Sequence, residues 1–65
     1  MLKVELVKYP LSMKIVDQLV LFMIYHQIDT IDALIAMKDE ELKDMVGFKP
    51  HLIEAVHLIR GMRLN

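Results

Sequence analysis

The chain has no cysteine and no tryptophan, only two glycines and two prolines, and a single serine, Ser12. Without cysteine it can form neither a disulfide nor a cysteine-ligated zinc site, which fits a reducing compartment. Only four residues are aromatic: Tyr9, Phe22, Tyr25 and Phe48. There is no repeat, no low-complexity segment and no linker. Long hydrophobic runs are missing too. The longest, Leu19 to Tyr25, has seven residues, far short of the roughly 20 needed to cross a bilayer. The amino terminus, MLKVELVKY, alternates apolar and charged residues and lacks the apolar stretch of a signal peptide. The expectation is a soluble, cytoplasmic chain with no membrane partner. A strong basic balance is also absent. The net charge is −1, which argues against a dedicated nucleic-acid binder.

What is present is apolar and small. Sixty-five residues make one domain at most. A core of that size gives marginal stability unless something supplements it. With disulfides excluded, dense packing or oligomerisation remains. Hydrophobic residues make up 55% of the chain, above the usual figure of about 45–50%. Most of these are Leu, Ile, Met and Val. The six methionines suit irregular core gaps or an adaptable interface. Charge is unevenly spread. Residues 28–46 hold Asp29, Asp32, Asp39, Glu40, Glu41 and Asp44 against two lysines, and residues 47–65 hold Glu54 against Lys49, Arg60 and Arg63. The middle is therefore acidic and the end mildly basic.

Periodicity sets the expected architecture: all-α, a compact bundle of about four helices with an extended amino-terminal arm, spanning 1–65 as one domain. Leu2, Val4 and Leu6 alternate with Lys3 and Glu5, the period-two pattern of a half-buried extended segment. The arm is assigned to 1–11, packed over its own helices or paired with another chain. Ser12 is a helix N-cap, and a long helix is expected over 12–26. Met13, Val16, Val20 and Met23/Ile24 form its apolar stripe, widened by Ile15 and Leu19. The opposite face starts polar with Lys14, Asp17 and Gln18 but continues as Leu21, Phe22 and Tyr25. A helix apolar on both faces needs cover on both sides. Either the other helices bury Leu21, Phe22 and Tyr25, or these residues form a contact site for a partner.

Two short helices are expected over 30–46. Thr30 caps the first, through Ile31, Leu34 and Ile35. Asp39, Glu40 and Glu41 fall in the first turn of the second, where the helix dipole favours acids. Leu42, Met45 and Val46 are assigned to its buried side. Gly47 is placed to end that helix with positive φ, and Phe48 follows as a core anchor. A carboxyl-terminal helix is expected over 50–62, with Pro50 in its first turn and Leu52, Ala55, Val56, Ile59 and Met62 on one face.

Nothing here has catalytic spacing. His51, Glu54 and His57 lie three residues apart, so their directions drift by about 60° per step. Helical metal ligands usually pair at i, i+4. The reading is no metal, no cofactor, no small-molecule substrate and no enzyme activity.

The segment IDTIDALIAMKDEELKDMVGFKPHLIEAVHLI, residues 28–59, resembles the carboxyl-terminal domain of the bacterial RNA polymerase alpha subunit. The resemblance rests on Ile28, Thr30-Ile31, Leu34, Glu40-Glu41-Leu42, Gly47-Phe48 and Leu52 to Ile59, with Glu5-Leu6 and Pro10-Leu11-Ser12 leading in. It implies a helix-hairpin-helix frame that approaches DNA. The match departs where that family grips phosphate. Its turn carries a second glycine, whereas here Gly47-Phe48 runs into Lys49-Pro50-His51, and Pro50 has no amide to donate. The family's first helix brings an arginine and an asparagine to the minor groove. Lys14 and Asp17 stand there when aligned from Ser12, and Gln18 and Leu21 when aligned from Ile28. Asp39 to Met62 also resembles the last two helices of sterile alpha motif domains, which assemble through protein contacts.

The function expected is a non-enzymatic protein–protein interaction module, a transcription-related or mobile-element accessory regulator, with Leu21, Phe22 and Tyr25 as the interaction surface. Self-association is its simplest form, because it covers the second helix face and supplements a small core. The alternative is DNA binding through the hairpin, with Lys14, Lys49, His51 and Arg60 as candidate phosphate ligands.

Overall fold

The computed structural model describes residues 2–63. These fold into five helices: α1 (Leu2–Leu6), α2 (Met13–Tyr25), α3 (Ile31–Ala36), α4 (Asp39–Asp44) and α5 (Leu52–Arg63). The radius of gyration is 10.6 Å, close to the roughly 10.7 Å expected of a folded chain of this length.

The amino-terminal segment departs from the sequence expectation. Residues 2–6 are a helix, not an extended arm. A lone extended segment leaves its amides and carbonyls without a sheet to bond. A helix satisfies them locally, and the turn that follows continues this, with Val7 N–H donating to Lys3 O at 3.0 Å and Tyr9 N–H to Leu6 O at 3.1 Å. Leu2 and Leu6 are one helical turn apart. Leu6 is fully buried, while Val4, which the alternation assigns to the same face, is exposed. Helix α1 packs against α2 and α3.

The caps of α2 and α3 are where the residue types place them. Ser12 Oγ accepts from Ile15 N–H at 3.2 Å, and Thr30 Oγ1 accepts from Ala33 N–H at 3.0 Å. Each satisfies an amide that the first helical turn leaves unpaired. At the start of α4 the Glu41 carboxylate accepts from Lys38 N–H at 3.0 Å. Helix α2 ends through Gln27, whose φ is +57°. Gln27 N–H donates to Ile24 O and Ile28 N–H to Met23 O, the paired bonds of a Schellman ending, with Met23 and Ile28 both buried beside it.

The core gathers Val16, Leu19, Phe22 and Met23 from α2, Ile31 and Leu34 from α3, Leu42 from α4, and Leu52, Ala55, Val56 and Ile59 from α5. Leu6, Ile28 and Phe48 complete it. Helix α5 lies against α2 and α3. No polar or charged side chain is buried among the described residues. The buried stripe of α2 is rotated from the expected one: Met13 and Ile24 are exposed, and Phe22 is inside. Two further residues leave their expected places. Helix α4 stops at Asp44 and Met45 is extended (ψ 139°), so Val46 turns outward instead of continuing the Leu42 face. Met62, near the end of α5, is also exposed.

Candidate functional site: an apolar groove beside the second helix

Three exposed apolar residues converge where the second half of α2 meets the turn after α4. Leu21 is 68% exposed, Tyr25 71% and Val46 71%. Together with Gln18, Phe22, Gly47 and Lys49 they line a groove of about 430 Å³. One wall is α2; the other is the chain from Val46 to Lys49. Of the expected interaction residues, Leu21 and Tyr25 therefore lie open. Phe22 does not. It is 3% exposed and forms the groove floor, its ring edge-on to Phe48 at 5.1 Å between centroids. Val46 belongs to this surface although the sequence assigns it to the core. Its exposure depends on where α4 ends, which no periodicity encodes. Ile24, one residue before Tyr25, is open as well.

The groove wall is pinned to α2 by a histidine. His26 Nε2–H donates to Val46 O at 2.6 Å. The His26 ring stands 4.6 Å from that of Phe22 and 5.0 Å from that of Tyr25. Gly47 makes the turn behind Val46 with φ +89°, a conformation that costs any residue with a Cβ.

The candidate phosphate ligands are not equivalent. Lys14 and Lys49 are exposed, and neither has an ion-pair partner among the described residues. His51 is exposed but shares a 2.7 Å hydrogen bond with Gln18 Oε1. Arg60 is half-buried and bonded to its neighbours. Its Nε donates to Ile35 O at 3.1 Å, Nη1 to Asp39 Oδ1 at 3.1 Å and Nη2 to Met37 O at 3.0 Å. These carbonyls lie at and just beyond the end of α3, where helical partners run out. The guanidinium fork thus ties α3 and α4 to α5. The amide of Phe48 is also occupied, donating to Met45 O at 3.2 Å.

Asp39 is the second half of that clasp. His57 Nε2–H donates to its Oδ2 at 2.6 Å. The Asp39 carboxyl titrates below its ordinary value, chiefly because of the His57 hydrogen bond. Partial burial opposes the shift, and Arg60 adds to it. The acidic run at 39–41 is therefore more than a solvated helix start, since Asp39 and Glu41 both make specific bonds. His51 and His57 face different neighbours, Gln18 and Asp39. Arg63 pairs with Asp32 near the opposite end of α5. Among the described residues no helix is long and apolar enough to cross a membrane, and no three His, Asp or Glu side chains are grouped to hold a metal.

No family model matches the chain, and no curated protein or solved structure is similar enough to it to carry an assignment.

Proposed function

We propose that this chain is a small non-enzymatic protein–protein interaction module that docks a partner on the α2 face and its groove. One observation carries the reading: Leu21, Tyr25 and Val46 are each about seven-tenths exposed and line a single groove. Scattered apolar residues on a surface need no explanation, whereas a contiguous apolar groove on a small protein commonly marks a contact. The one serine and the three histidines each make a hydrogen bond within the fold. Ser12 caps α2, His26 holds Val46 O, His51 bonds Gln18 and His57 bonds Asp39. An accessory role in transcription goes with the resemblance to the polymerase alpha-subunit domain.

DNA binding through the hairpin is the second reading, favoured by Lys14 and Lys49, which are exposed and have no ion-pair partner among the described residues. Against it, Arg60 and the Phe48 amide already make hydrogen bonds within the fold. Anisotropy titration with duplex DNA at two salt concentrations separates the two. The interaction reading expects weak binding at most; tight binding that falls steeply with salt would overturn it.

A further inference from the structure

We infer that the groove takes an acidic amphipathic helix from a partner protein, rather than a second copy of this chain. The inference rests on the docking reading above and adds the chemistry of the occupant. The lining is apolar except for Gln18 and Lys49, and it contains no carboxylate. Lys49 has no ion-pair partner among the described residues, and neither does Lys14, one turn before Gln18 on the same helix face. The carboxylate nearest in sequence on that face, Asp17, is paired with Lys3 at 3.4 Å. The groove is thus an apolar track whose lining carries one lysine and no carboxylate.

A second copy fits this surface poorly. A two-fold contact brings the same patch against itself, so the charges meeting across it are lysines with no acid in the lining to answer them. Like charges facing each other across an interface oppose association. A partner helix carrying acids matches it in both respects. From Lys14 to Tyr25 the α2 face runs about 16 Å at 1.5 Å per residue, the length of three helical turns. A helix laid along it would set apolar residues at i, i+3 or i+4, and i+7 against Leu21, Phe22, Tyr25 and Val46. Acids flanking that stripe would face Lys49 and Lys14.

The test is a displayed library of amphipathic helical peptides with flanking positions randomised among Glu, Lys and Gln, selected against the full chain. Selected peptides are then titrated against wild type, Lys49→Glu, Lys14→Glu and Leu21→Gln. All three positions are exposed, and circular dichroism checks that each variant is folded. The expected result is enrichment of Glu at the flanks, binding that weakens with salt, and a loss of about tenfold on either lysine reversal, with Lys-flanked peptides regaining affinity on the reversed variants. Binders that lose affinity with Leu21→Gln but ignore both reversals overturn the acidic helix and leave the docking face standing. Binders indifferent to Leu21→Gln as well, or a library with no binder, overturn both. A dimer in sedimentation equilibrium that Leu21→Gln dissociates identifies a second copy as occupant and overturns the inference.

Discussion

Two described residues have positive φ, one within the groove wall and one just past the end of α2, and they are of opposite kinds. Gly47 (φ +89°) stands in the turn after α4, and Gln27 (φ +57°) ends α2. A side chain in the left-handed region costs roughly 1–2 kcal/mol. Gly47 avoids that cost and Gln27 bears it. A Cβ at Gly47 would meet nothing within 4 Å, so any penalty there comes from the backbone alone. Gly47→Ala is therefore expected to lower stability by about 1 kcal/mol and Gln27→Gly to raise it by about 0.5–1 kcal/mol. Urea denaturation midpoints of both variants check this, and shifts in the same direction would contradict it. The positive φ of Gly47 was legible in the sequence because glycine is the residue that takes it without strain, although α4 ends before it, at Asp44. Gln27 was not, since nothing in a glutamine announces positive φ. Packing of Ile28 beside Met23 holds it there.

At the scale of elements, the short helices α3 and α4 are too brief to persist alone, and the Arg60–Asp39 clasp joins them to α5. Arg60→Lys keeps the charge but not the planar fork that serves three acceptors. It should cost about 1–2 kcal/mol. Asp39 adds a dependence on pH. Its carboxyl is lowered in the folded chain, so its contribution is complete above the unfolded carboxylate pKa and disappears as pH falls through the folded value. The wild type should therefore lose stability on acidification below about pH 4 more steeply than Asp39→Asn. Denaturation midpoints measured across that range decide it; parallel acid limbs would mean that the clasp is not linked to folding. The caps Ser12 and Thr30 were readable because hydroxyl side chains just before an apolar periodic stretch satisfy first-turn amides. The helix α1 was misread because Leu2 and Leu6 fit both periods, and Val4, which fits only the alternation, is exposed. Only the lack of a strand partner, and a pocket for Leu6 between α2 and α3, favoured the helix.

For the whole molecule the governing fact is surface to volume. A chain of 65 residues that is 55% hydrophobic cannot enclose all of its apolar side chains, because too little of so small a body is interior. The question is which residues stay out. Adjacent residues on α2 give the contrast: Phe22 is buried and Leu21 open. Leu21→Gln is expected to change stability by less than about 0.5 kcal/mol, while Phe22→Ala should cost about 3–5 kcal/mol. If calorimetry or urea titration found Leu21→Gln as damaging as Phe22→Ala, the exposed face would be part of the core and the docking reading would fail.

The sequence by itself determined the helical class, the caps at Ser12 and Thr30, the positive φ at Gly47, the anchor at Phe48 and the excess of apolar residues on α2, but not the end of α4, which comes at Asp44. Each follows from local chemistry: side-chain hydrogen bonds, permitted φ angles and the 3.6-residue period. Only the tertiary structure decided where that excess points. Whether Leu21, Phe22, Tyr25 and Val46 face in or out depends on how α2 is rotated against α5 and on where α4 ends. Those are set by packing among residues distant in the chain. The same reason separates the cations. Arg60, Lys14 and Lys49 look alike as charges in a sequence, but among the described residues folding brings acceptors to Arg60 and leaves both lysines exposed, Lys49 at the groove.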